Sequence, residues 1–195
     1  MKNLLALTLL VGLAATSLAQ GLAVGDTAPD FALTGTDDAT HSLANDAGER
    51  GAVVVFTCNH CPYSVAYEDR LVALQTELAE QGYALIAINP NDPDVKPEDS
   101  FAAMKVRAAE KGFNFPYLVD EGQRVYPAWG ATRTPHFFVV DAERTVRYIG
   151  ALDNNTDPAK VTERFLADAL AAIAAGEEPD PATTKAIGCS IKRKG

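Results

Sequence analysis

Two cysteines and a histidine stand together in the run "VVVFTCNHCPYS", Val53–Ser64. Asn59 and His60 separate Cys58 from Cys61, and Pro62 follows. This spacing lets both sulfurs meet within one helical turn. A structural disulfide, a metal site or a reversible dithiol couple could use such a pair. A structural disulfide suits the end of a core strand poorly. A structural zinc takes four such ligands, and no second ligand pair is evident, so no metal is expected. The redox couple remains the leading reading, with Cys58 attacking a partner's disulfide and Cys61 resolving the mixed disulfide. A helix starting at Pro62 would present unpaired N–H groups and partial positive charge to the pair. That favours thiolate over thiol, and His60 adds positive charge when protonated. The expectation is an exposed, acidified Cys58, a more buried Cys61 and no organic cofactor.

The surrounding pattern must supply a strand before the pair and a helix after it. Ala52–Phe56 is a continuous apolar run, as in a strand buried on both faces. Leu71, Leu74 and Leu78 share one face of a helix from Cys61 to Gln81, which Gly82 stops. Tyr83–Ile88 is a second buried strand. The loop "NPNDPDVKPEDS" leads to a helix with Asp99 or Ser100 as N-cap and Gly112 as stop, and its acidic part, Asp92–Asp99, reads as solvated. A short strand and short helix follow, then "TPHFFVVDAERTVRYIGA" as two strands joined at Asp141–Arg144. Pro158–Ala175 is a single amphipathic helix with Val161, Phe165, Ala169 and Ile173 at intervals of four. Near the N-terminus, Phe31 and Leu33 alternate with polar or small neighbours before a turn at Gly35–Asp38. The order indicates an α/β sandwich with a β-hairpin at its start. "EEPDPATT" reads as a flexible linker and Lys185–Gly195 as a tail carrying Cys189. The domain expectation is therefore residues 20–176, followed by a linker and tail over 177–195.

The chain has 195 residues, 47% of them hydrophobic, and a formal charge of −9. Such acidity disfavours nucleic acid and anionic membrane as partners. Lys2, the apolar run Leu4–Ala15 and the small residues Ser17 and Ala19 have the layout of a secretory signal peptide over residues 1–19. That run is short for a membrane span, so stable membrane insertion is not expected. An extracytoplasmic, periplasmic or secreted protein follows. In such a compartment closely spaced cysteines are oxidised unless a partner reduces them.

A CxxC beside a β-α-β pattern is a thioredoxin-like signal. Thr134-Pro135 before the strand "HFFVVD" strengthens it, as a cis-proline position opposite the cysteines that would shape a substrate groove. With "VVFTCNHCPYSVAYEDRL", "AINPNDP", "PEDSF", "FPYLVDE", "GATRTPHFFVVDA", "ALDNN" and "TKAIGCSIK", the chain resembles the alkyl hydroperoxide reductase/thiol-specific antioxidant (redoxin) branch of the thioredoxin-like superfamily. More narrowly it resembles a peroxiredoxin-like group with a CNHC motif. The resemblance implies a thioredoxin-like sandwich, a central mixed sheet flanked by helices. It implies an exported thiol–disulfide oxidoreductase working with a redox partner protein or a protein disulfide. The site residues are Cys58, Cys61, His60 and Pro135, with Cys189 a candidate third redox thiol shuttling with Cys58.

Departures from the family patterns decide between alternatives. A peroxidase would carry Pro-x-x-x-Thr-x-x-Cys and a later arginine, but Thr57 directly precedes Cys58 and Pro135 stands where that arginine would fall. Arg133 is displaced. Peroxidase activity is therefore the alternative reading. A copper carrier using Cys58, Cys61 and His136 is a lesser one, as some redoxin-fold proteins bind copper through two cysteines and a distant histidine. Disulfide-oxidising relatives have a histidine before the second cysteine, as His60 stands here, which implies a couple more oxidising than thioredoxin. His41 reads as a surface residue and Trp129 as packing.

Overall fold

The computed structural model describes residues 21–195. The signal-peptide expectation falls on residues outside that range. The strands are β1 Leu33–Gly35, β2 Thr40–His41, β3 Gly51–Phe56, β4 Tyr83–Asn89, β5 Tyr117–Val119, β6 Arg133–Thr134, β7 His136–Asp141, β8 Val146–Gly150 and β9 Cys189–Ser190. The helices are α1 Leu43–Asp46, α2 Pro62–Glu80, α3 Phe101–Lys111, α4 Val125–Trp129 and α5 Phe165–Ala174. Two pairing blocks, β2-β1-β5-β4 and β3-β7-β8, lie side by side. The Thr57 N–H donates to the Ile88 carbonyl where they meet. Together they form one mixed sheet of seven strands with β3 and β4 at its centre.

Alternation along the central strands builds two cores. Val53 and Val55 of β3, Leu85 and Ala87 of β4, and Phe137 and Val139 of β7 face Leu71 and Leu78 of α2, Met104 of α3 and Leu166 and Leu170 of α5. Their neighbours Val54, Phe56, Ile86, Ile88, Phe138 and Val140 face Leu43 of α1 and Tyr126 and Trp129 of α4. A strand with a core on each face must be apolar throughout, which is why 51–56 shows no polar alternation. Trp129 sits edge-on to Phe56 and Phe138 in this second core.

Local signals set the helix ends. Ser100 caps α3 by accepting from the Ala103 N–H, and Gly112 ends it with a left-handed φ of 62°. Pro62 opens α2, where its missing N–H costs nothing, and Cys61 is the N-cap. The helix expected from Pro158 begins only at Phe165. Asn154 intervenes: its side-chain oxygen accepts from the N–H groups of Thr162 and Glu163, holding them in a loop.

The C-terminal segment also differs from the expectation of a flexible linker and appended tail. Ile149 N–H donates to the Ala182 carbonyl, and Thr184 N–H donates back to Ile149. β9 then pairs antiparallel with β6, Thr134 opposite Cys189 and Arg133 opposite Ser190. Ile191 enters the core facing α4, and the Lys192 N–H donates to Asn91 Oδ1 at 2.7 Å. Backbone pairing on both sides straps residues 182–192 across the domain.

Candidate active site

Cys58 follows β3, and Cys61 caps α2. The Thr134-Pro135 bond is cis and stands against both cysteines. Cys58 Sγ lies 3.2 Å from Thr134 Oγ1, and Cys61 Sγ lies 3.1 Å from the Thr134 carbonyl oxygen. Sequence reasoning thus placed the cysteines and Pro135 together, and the structure brings them together. It missed Thr134, whose hydroxyl and carbonyl make both contacts.

The expected exposure of Cys58 is not observed. Cys58 is 2% exposed and Cys61 0%. The acidity is also reversed. Donation to Cys61 raises the Cys58 thiol, and burial and the nearby Asp99 charge push it further the same way. Cys61 is lowered to about 4 by the donor Cys58, against the opposing effect of burial, with help from the Cys189 side chain and the Ser64 and Cys189 N–H groups. A Cys61 thiol could donate to the Thr134 carbonyl instead. The thiolate is favoured because several donors converge on it, including an N–H in the first turn of α2. The helix-start argument was sound, but it acts on the N-cap residue itself, Cys61.

His60 and Asn59 are held by a segment that reads as solvated in sequence. Asp99 ends the 3-10 turn Pro97–Asp99 and is 1% exposed. One of its oxygens accepts from the N–H groups of Asn59 (2.7 Å) and His60 (3.2 Å). The other lies 2.5 Å from His60 Nδ1 and accepts from Asn91 Nδ2 at 2.8 Å. Asn59 donates to the Glu98 carbonyl and accepts from the buried Tyr117 hydroxyl. The acidic loop is therefore a clamp on the CNHC turn, and only the two sides of that turn in space reveal it. Cys58, His60 and Asp99 place ligand-type atoms within 4.8 Å of one another, and this is the one such cluster among the described residues.

His136 stands outside that cluster. Its ring lies against Phe138, its Nδ1 accepts from the Thr132 N–H, and burial lowers its pKa to about 4. Arg133 lies on the Cys189 side, where its Nη1 donates to the Gly188 carbonyl at 3.3 Å. His41 is not a plain surface residue: Asp46 and Asp37 hold its two ring nitrogens at 2.8 and 3.1 Å. Burial opposes its charge, but the two carboxylates outweigh that and raise its pKa.

The third cysteine is also placed differently from the expectation. The Cys189 thiol and N–H are directed at Cys61, not at Cys58. It is the only one of the three cysteines that is not buried.

The chain is 28% identical over 159 residues to the thiol-disulfide oxidoreductase ResA of Geobacillus thermodenitrificans, covering 76% of this chain and 84% of that protein. A crystal structure of a conserved protein from Geobacillus kaustophilus superposes with a TM-score of 0.82 at 37% identity, covering 88% of this chain and 93% of the other. A hypothetical protein from Sinorhizobium meliloti 1021 gives the same TM-score at 32% identity, covering 90% and 97%. The model of the AhpC/TSA family matches residues 24–149, from the N-terminal segment through β8. The chain belongs to the AhpC/TSA family.

Proposed function

We propose that this protein is an exported thiol–disulfide oxidoreductase that cycles Cys58 and Cys61 between dithiol and disulfide. The observation that carries the reading is a buried pair of cysteines whose sulfurs lie 3.2 Å from Thr134 Oγ1 and 3.1 Å from the Thr134 carbonyl oxygen, against the cis Thr134-Pro135 bond. Cys58 attacks a partner's disulfide, and its proton passes to the His60–Asp99 pair within 4.8 Å. Cys61, already a thiolate, then attacks Cys58 and releases the reduced partner. Donors that stabilise the Cys61 thiolate stabilise the reduced form, which makes the couple more oxidising. Among the described residues Cys58 contacts Ser64 and Thr134 and no arginine, which weighs against the peroxidase alternative. Export is supported by the layout of residues 1–19, and the proposed domain starts at residue 20.

Redox titration against glutathione is the test. A two-electron Cys58–Cys61 couple with a potential above about −270 mV is expected, and loss of disulfide turnover in Cys58→Ser. Two thiols that do not titrate, or a Cys58→Ser variant with full turnover, would refute the assignment. Mass spectrometry of exported protein should find an N-terminus at Gln20.

A further inference from the structure

β9 occupies an unusual place. It pairs with β6 at the two residues preceding Pro135, the backbone edge that lies directly against the cysteines. This is the edge an extended disulfide substrate would use, and the chain's own tail fills it with a cysteine opposite Thr134. The placement is held on both sides. Gly188 is pressed so close to Thr134 that a Cβ there would lie 2.2 Å from the Thr134 carbonyl oxygen. Beyond Cys189, Ile191 is buried, Lys192 N–H donates to Asn91, and the Lys192 carbonyl accepts from Asp92 N–H and Gln123 Nε2. A tail anchored this way gives Cys189 a fixed position beside Cys61.

All three cysteines gather at Thr134: Cys58 Sγ lies 3.2 Å from its Oγ1, Cys61 Sγ lies 3.1 Å from its carbonyl oxygen, and Cys189, partly exposed, is paired opposite it across β6 and β9. From this geometry we infer that Cys189 is a third exchange thiol, and that the protein has two alternative disulfides, Cys58–Cys61 and Cys61–Cys189. The inference rests on the dithiol reading above. The step is an internal exchange with no net oxidation. The Cys189 thiolate attacks Cys61, the Cys61–Cys189 bond forms, the Cys58–Cys61 bond breaks, and Cys58 leaves as thiolate. Cys189 gives up one proton and Cys58 takes one, so protons balance.

Electrostatics supply the order of events. In the reduced protein Cys189 is pushed up to about 11 by burial and by the neighbouring Cys61, while Lys192 and Arg133 pull it down. Once Cys61 is bonded to Cys58 its negative charge is gone, and the two cations remain. Cys189 thus gives up its proton more readily when there is a disulfide for it to attack, with burial still opposing the thiolate. The exchange moves the disulfide from a bond with no exposed sulfur to one ending at a partly exposed sulfur. There a partner thiol can reach it without displacing the strap.

The full-length Cys58→Ser variant tests this directly, because it retains only Cys61 and Cys189. In the glutathione buffer that oxidises the natural pair, its free thiols should fall from two to none. Tryptic peptides 51–70 and 186–192 should then be joined. Two thiols remaining free, or carrying only glutathione or intermolecular links, would overturn the inference. Cys189→Ser separates the two readings: if it still forms Cys58–Cys61, the dithiol function stands whatever the first result. If Cys58→Ser loses its near-ultraviolet dichroism and so its fold, the natural protein decides. Partly oxidised protein trapped with N-ethylmaleimide should contain the joined 51–70 and 186–192 peptides. Their absence throughout the titration would overturn the proposal.

Discussion

Asp99 and His60, 39 residues apart, face one another with Asp99 Oδ2 2.5 Å from His60 Nδ1. The same carboxylate accepts both N–H groups of the turn between the cysteines. A buried carboxylate normally requires such a set of donors, and here the donors are the turn itself. Asp99→Ala is expected to lose about 2–4 kcal/mol, because four polar groups in and around a buried turn lose their carboxylate partner. Urea unfolding measures the loss. The pH profile of disulfide turnover should also change shape, since the acceptor for the Cys58 proton is removed, while Asp99→Asn restores part of the stability but not the profile. An unaltered profile in both variants would make Asp99 purely structural.

Gly188 packs directly against the Thr134 backbone. A methyl group on Gly188 cannot fit beside the Thr134 carbonyl, so Gly188→Ala should lift β9 from β6. Alkylation of Cys61 by iodoacetamide is expected to accelerate by about tenfold, a change in accessibility worth about 1.4 kcal/mol. An unchanged rate would mean that the strap does not control access.

His136 carries a pH signature. It is neutral in the fold down to about pH 4, because burial disfavours the cation, whereas the unfolded residue takes a proton near 6.5. Its contribution is therefore fully present above pH 6.5 and is lost as pH falls towards 4, by about 3 kcal/mol in all. Comparing unfolding free energies at pH 7 and 4.5 should show a decline in the natural protein that is smaller in His136→Phe. Equal declines would place the acid sensitivity elsewhere.

About two turns beyond Cys61 on α2, Glu68 is 3% exposed and is gripped by Arg107 of α3 through Nε at 2.7 Å and Nη2 at 2.6 Å. Arg107→Ala would leave that carboxylate with only Lys111, whose Nζ lies 3.7 Å from Glu68 Oε2. The expected cost is about 3 kcal/mol, with turnover per folded molecule unchanged. Adding Glu68→Gln should recover part of it, and a double variant no more stable than Arg107→Ala would contradict the ion-pair account.

The sequence by itself determined everything that depends on short-range pattern. β3 and β4 are legible because a strand buried on both faces has to be apolar along its length. The start of α2 at Pro62, the capping of α3 by Ser100 and Gly112, and the cysteine spacing are equally local. Tertiary structure decided what polar residues do once the chain folds over them. Asp99 has the composition of a solvated loop residue, and nothing within a few positions shows that its acceptors meet a turn 39 residues earlier. Asn154 likewise delays α5 by capturing two N–H groups that periodicity assigns to a helix. The sharpest case is the tail. Its Pro-rich, polar lead-in looks like linker, because strand pairing with β6 is a long-range event that leaves a two-residue strand no room for an alternating pattern. Helix-terminus physics led to an acidified Cys58, whereas Cys58 is raised and only Cys61 is lowered. The donors gathered around Cys61, Cys189 among them, are assembled only when residue 189 crosses back over residue 134.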